Sequence, residues 1–256
     1  MISQLINLNL FAFLLVFARI GTAFMIMPGF GAQQVPMTVR LTFALAVSFL
    51  ITPLLMEFLP LEPAQVSVLA ALIGSEMLIG IFLGLIPRIF MTALQTAGTV
   101  ISMMASMANM FIHDPIAEQQ SSVLSAFLGT MALTIIFVTD THHLMLAALV
   151  DSYSLFNPVS GPLIGDMSFF LAHKVSESFA LGVQLSAPLI VSGVAYYLGL
   201  GILGRLMPQL PVFFFGMPIQ IAMQVYLLMI TLTAVMMVFM NYMQDGLLSL
   251  TSSFGG

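Results

Sequence analysis

Cysteine is absent from the chain, so disulfides, thiolate metal sites and cysteine nucleophiles are excluded. Charge is scarce as well: 6% of the 256 residues are charged, against about 25% in a soluble globular domain. A water-exposed surface cannot be built from so little charge, and lipid or other apolar protein is the expected solvent. Five basic residues and a net charge of −5 exclude nucleic acid as a partner. The start, MISQLINLNLF, has neither a basic n-region nor a following small-residue cleavage site, so the first apolar segment is expected to be retained. No GxSxG, HExxH, Walker A or GxGxxG occurs. The serines have no base beside them, and no enzyme activity, metal or cofactor is expected.

What fills the chain is apolar: 60% of residues are hydrophobic. Runs near the ~20 residues a spanning helix needs lie at 5–27, 37–56, 66–86, 123–150, 175–200 and 213–243. A further stretch, 89–112, is rich in Thr, Ser, Gly and Met. No run alternates with a strand period, so the fold class is all-α, an integral membrane protein of broken, tilted helices. Breakers mark the junctions: PGFGAQQVP at 28–36, LPLEP at 59–63, NPVSGPLIGD at 157–166 and MPQLP at 207–211. Placing Arg40, Arg88 and Arg205 on the cytoplasmic side puts both termini outside. Gly80 and Gly84 have the spacing of a small-residue helix contact, a pattern that local glycine richness also produces.

Polar residues gather in two places. The stretch NMFIHDPIAEQQSS, 109–122, holds His113, Asp114, Pro115, Glu118, Gln119 and Gln120. The spacing does not suit a metal site, because adjacent residues on a helix point to different faces and Pro115 interrupts the helix. Asp-Pro instead predicts a turn. The second place is Asp140, His142 and His143 at the end of an apolar run. Haem ligation needs facing histidines on separate helices, which these do not offer. A proton relay and a plain interfacial cap both fit them. Arg19 and Glu76 are also charges within apolar runs, costly unless paired or facing a cavity. Met103, Met104, Met107 and Met110 recur at helical spacing, either as core filler or as a compliant wall beside something that opens.

Three runs together resemble one family. In RIGTAFMIMPGFGAQQVPMTVRLTFALAVSFLITPLL, 19–55, Arg19, Pro28, Phe30, Gly31, Pro36 and Arg40 match an Arg, a Pro-x-Phe-Gly turn and a Pro-x-x-x-Arg opening the next helix. In 114–144, Asp114, Pro115, Val123, Leu124 and His142 fall in register, with Thr141 where a Gly is common. The run 179–221 carries the Ala-Pro-Leu helix, the turn with Arg205, Pro208-Gln209 and Val-Phe-Phe. Pro211 replaces a usual Asn there and Gln220 a usual Lys. The pattern, over residues 10–245, resembles the FliR family of type III export-gate subunits, to which the injectisome SctT type also belongs.

The resemblance implies a single membrane-embedded gate domain, with 1–160 FliP-like and 161–256 a FliQ-like helical hairpin and tail. It implies FliP- and FliQ-type subunits as ring partners, FlhB- and FlhA-type export proteins beside them, and unfolded flagellar substrates in transit. It places the chain in the bacterial inner membrane, at the flagellar basal body, part of the assembly above the bilayer plane. It also makes 109–121 a plug loop, with Met110, Phe111, Ile112, His113, Asp114, Pro115, Glu118, Gln119 and Gln120 as gating residues and Met103, Met104 and Met107 as a seal. Arg19, Pro28, Gly31, Pro36, Arg40, Arg205 and Pro208 are assigned to structural turns. The competing class is a small-solute or proton-coupled transporter, which the sequence supports with neither an internal repeat nor a substrate site.

Overall fold

The structure is a computed structural model, and it describes residues 2–31, 35–60, 63, 65–107, 122–158, 161–207, 209 and 212–254. Its helices are α1 (Ile2–Ile26), α2 (Met37–Ile51), α3 (Val66–Met104), α4 (Val123–Val138), α5 (Thr141–Leu155), α6 (Ile164–Leu206) and α7 (Val212–Phe254). A 3-10 turn over Thr52–Leu55 extends α2. There is no strand among the described residues. Helices satisfy their own backbone groups, which is what an apolar solvent demands.

Four helices are long and apolar enough to cross a membrane, or five if the pair α4–α5 counts as one span. The all-α membrane reading holds, but the segment boundaries change in three places. The run 66–86 and the first part of 89–112 are one helix, Val66–Met104, through Pro87. Proline removes one backbone hydrogen bond, and Ile86, Ile89 and Phe90 on either side are buried, so packing holds the helix together across it. The run 123–150 is broken: α4 and α5 are bent by 75° about Thr139–Asp140. Asp140 takes φ +57°, ψ 14°, the left-handed region, which ends one helix and starts another without Gly or Pro. The last two runs grow to 43 residues each, about 65 Å at 1.5 Å per residue and roughly twice the hydrocarbon thickness of a bilayer.

The chain divides into two compact units that each draw on distant stretches. The first comprises Met1–Ile89, Ile136–Lys174 and Met243–Gly256. Its core is Leu15, Val16, Ile20 and Phe24 of α1, Ile79, Phe82 and Ile86 of α3, and Met145 and Leu149 of α5. Here the glycine pair is a true contact surface. A Cβ on Gly80 would collide with Thr22 Oγ1 and the Arg19 carbonyl, and one on Gly84 would lie 2.8 Å from the Ala23 carbonyl oxygen. Small residues let two helix backbones approach where lipid gives no hydrophobic drive to associate.

The second unit comprises Phe90–Ile135 and Val175–Tyr242. Its core takes Phe90, Leu94 and Ala97 from α3, Leu128 and Ala132 from α4, Leu189 from α6, and Leu228 and Phe239 from α7. Ser178 and Tyr242 share a hydrogen bond of 3.2 Å, and the Tyr242 ring stands edge-on to Phe90 at 5.1 Å.

Candidate functional site

Arg19 lies inside α1 with no exposed surface, as does Glu76 on α3. The Arg19 Nε donates to Glu76 Oε2 at 2.6 Å, and Nη2 donates to Oε1 at 2.9 Å. Nη1 donates to Ser152 Oγ at 3.0 Å, and Nη2 also reaches the Phe156 carbonyl at 2.9 Å. The guanidinium carbon stands 3.7 Å from the centre of the Tyr153 ring. The fork geometry of arginine suits this bidentate pairing, and the additional acceptors occupy donors the carboxylate leaves over. Together these contacts tie α1, α3 and the end of α5 at one point inside the first unit.

The turn after α1 is built from glycine and phenylalanine. Gly29 has φ +88°, and a side chain on Gly31 would run into the Met25 carbonyl. The Gly31 N–H donates to the Met27 carbonyl at 2.8 Å. Phe30 stacks on Phe24 at 5.0 Å and on Phe43 at 5.7 Å. Pro28 precedes this turn, and Pro36 is the N-cap of α2. Arg40 reaches the Gly31 carbonyl with Nη1 at 3.5 Å. Arg205 is exposed in the last turn of α6, where a positive charge complements the helix dipole.

Met110, Phe111, Ile112, His113, Asp114, Pro115, Glu118, Gln119 and Gln120 lie outside the described residues, as does Pro208. The described chain on either side of 108–121 is held in the second unit. On the entering side, α3 ends in a Schellman motif: Met107 N–H donates to the Ser102 carbonyl at 2.9 Å and Ser106 N–H to Met103 at 3.3 Å. The left-handed position is Ser106, φ +57°, where glycine is usual. Its hydroxyl donates to Gln220 Oε1 at 3.0 Å and shares a 2.9 Å hydrogen bond with the Tyr197 hydroxyl. The buried Gln220 also donates from Nε2 to the Met104 carbonyl at 2.5 Å.

On the leaving side, Ser122 caps α4 by accepting from the Ser125 N–H at 3.1 Å. Ser125 Oγ in turn donates to the Gln95 carbonyl at 2.8 Å. Gly98 permits this approach, since a Cβ there would stand 2.5 Å from Ser125 Cα. Of the methionines, Met103 is exposed, while Met104 and Met107 are half-buried. Sequence reading missed Ser106, Tyr197 and Gln220 as one cluster, because 91 positions separate Ser106 from Tyr197 and 114 separate it from Gln220. The one available signal was Gln220 itself, standing where the resembling family usually has Lys.

At the α4–α5 break, Asp140 Oδ1 and His143 Nδ1 are 3.5 Å apart. Asp140, His142 and His143 are the group among the described residues able to hold a metal ion.

The model of the family Bacterial export proteins, family 1, matches residues 10–246. The chain is 37% identical to the flagellar biosynthetic protein FliR of Caulobacter vibrioides over 88% of its length and 89% of the relative's. It is 33% identical to FliR of Bacillus subtilis, covering 90% of this chain and 89% of that one. It is 27% identical to Yop proteins translocation protein T of Yersinia pestis, again over 90% and 89%. With the family match running from residue 10 to 246 and about nine-tenths of each relative covered, the chain belongs to the bacterial export proteins, family 1, with the flagellar FliR proteins among its relatives.

Proposed function

We propose that the chain is the FliR-type subunit of a flagellar type III export gate in the bacterial inner membrane. It assembles there with FliP- and FliQ-type subunits, beside FlhB- and FlhA-type proteins, around the path of unfolded flagellar substrates. Its role is structural rather than enzymatic. Family membership supports the export apparatus, and the 37% identity to the Caulobacter FliR against 27% to the Yop translocation protein favours the flagellar system. Long apolar helices support a membrane setting. Along α6 and α7, Phe169, Phe179, Leu198, Phe214, Tyr226 and Met229 are exposed, surface that lipid or neighbouring subunits would cover.

The observation that carries the gating reading is the pair of fixed ends. Ser106 and Ser122 bracket 109–121, and each is tied by side-chain hydrogen bonds to the same unit, Ser106 to Gln220 and Ser122 to the Gly98 carbonyl. A polar segment anchored at both ends suits a steric block in a water-filled lumen. His113, Asp114, Glu118, Gln119 and Gln120 would be solvated in such a lumen and costly in lipid. Deleting 112–120 in the assembled apparatus tests this: ion leakage should rise while the subunits still co-purify. A tight membrane with normal export overturns the block. Purification without FliP- and FliQ-type chains overturns the gate assignment.

A further inference from the structure

The geometry points to a metal-binding site at the break between α4 and α5, in which Asp140, His142 and His143 hold one first-row divalent transition-metal ion, zinc in the first instance. Each of the three side chains offers a ligand atom, and these atoms lie within 4.8 Å of one another. The 3.5 Å from Asp140 Oδ1 to His143 Nδ1 is close to the ~3.4 Å edge of a tetrahedron with ~2.1 Å metal–donor bonds. The two imidazole rings are already adjacent, centroids 4.1 Å apart and 35° between planes.

Two features say that these groups are not committed elsewhere. Asp140 is the N-cap of α5, where a carboxylate ordinarily accepts from the first helical N–H groups, yet it makes no side-chain cap hydrogen bond. His142 Nδ1 is buried with no hydrogen-bond partner among the described residues, an arrangement that costs stability unless something else binds there. The left-handed backbone at Asp140 places its carboxylate at the start of α5, three positions before His143. The His143 and Asp140 side chains are 67% and 75% exposed, so an ion has access.

Two imidazoles and one carboxylate suit zinc and its borderline neighbours and leave an open coordination position for water or an external donor. A bound ion would cross-link Asp140 to the helix that follows it and fix the break.

The test is cobalt(II) titration of the full chain in detergent, carrying no histidine tag and followed by visible ligand-field absorption, with zinc as competitor. One cobalt per chain should bind and be displaced by zinc. Affinity should fall at least tenfold in His143→Ala and in Asp140→Asn, and stay within twofold in His113→Ala and His173→Ala. His143 is exposed, so its variant should keep wild-type helicity, and circular dichroism checks this. Absence of saturable binding overturns the site, as does binding unchanged in His143→Ala or lost in His113→Ala.

Discussion

Arg19 and Glu76 form a two-pronged ion pair, 2.6 Å and 2.9 Å, across fifty-seven positions of sequence and with neither side chain exposed. Desolvating both charges is costly, and the pair holds because every prong is matched and Ser152 and Phe156 accept from the remaining donors.

Removing one partner strands the other charge, so Arg19→Ala or Glu76→Ala should each cost about 3–5 kcal/mol. The double variant Arg19→Met with Glu76→Leu should recover part of that loss, since an apolar pair leaves no charge behind. Thermal unfolding in detergent measures it. If the double variant is as unstable as the two single losses added together, the pair is not the source of the effect.

Gly80 and Gly74 lie on the same helix and should respond in opposite directions. At Gly80 a methyl group collides with Thr22 and the Arg19 carbonyl, so Gly80→Ala should cost about 1–3 kcal/mol by overpacking. At Gly74 an added Cβ meets nothing within 4 Å, and alanine there should stabilise by roughly 0.5–1 kcal/mol through helix propensity. Equal effects at the two positions would refute the close approach of α1 and α3.

Much of this was legible in sequence, for physical reasons that particular residues make clear. Scarce charge and long apolar runs dictate helices in an apolar solvent, and the glycine spacing at 80 and 84 is a local pattern that packing then uses. The run 123–150 carried polar Asp140, His142 and His143 near its middle, but the sharp break was not legible there, because the left-handed turn falls on Asp140 with neither Gly nor Pro to mark it. The separation of 66–86 from 89–112 did not hold, since a buried helix absorbs the one hydrogen bond that Pro87 removes. The partners of Arg19 and Ser106 were invisible because they are brought together only by tertiary packing.

The N-cap of α4 gives a smaller effect with a built-in rescue. Ser122→Ala removes the acceptor for the Ser125 N–H and should cost about 1 kcal/mol. Ser122→Asp keeps an acceptor there and should retain most of the stability. Melting temperatures of the purified variants decide it; alanine matching wild type while aspartate falls below it would mean the cap contributes nothing.

The end of α3 combines strain with compensation, and the two can be separated. Ser106 takes a left-handed conformation that costs a non-glycine residue about 1–2 kcal/mol, and its hydroxyl offsets this through Gln220 and Tyr197. Ser106→Gly removes the strain together with the hydrogen bonds and should be nearly neutral. Ser106→Ala keeps the strain, loses both bonds and should destabilise by about 1–3 kcal/mol at 0.5–1.5 kcal/mol per bond. Ser106→Val adds a β-branched side chain at positive φ and should be worst. Gln220→Leu removes one of those bonds and leaves the Met104 carbonyl without its donor, so its loss should overlap with that of Ser106→Ala rather than add to it. Unfolding midpoints in the order Gly, Ala, Val, with a sub-additive Ser106→Ala/Gln220→Leu double variant, fit this account. An alanine variant as stable as wild type would mean that the hydroxyl does not hold the end of α3.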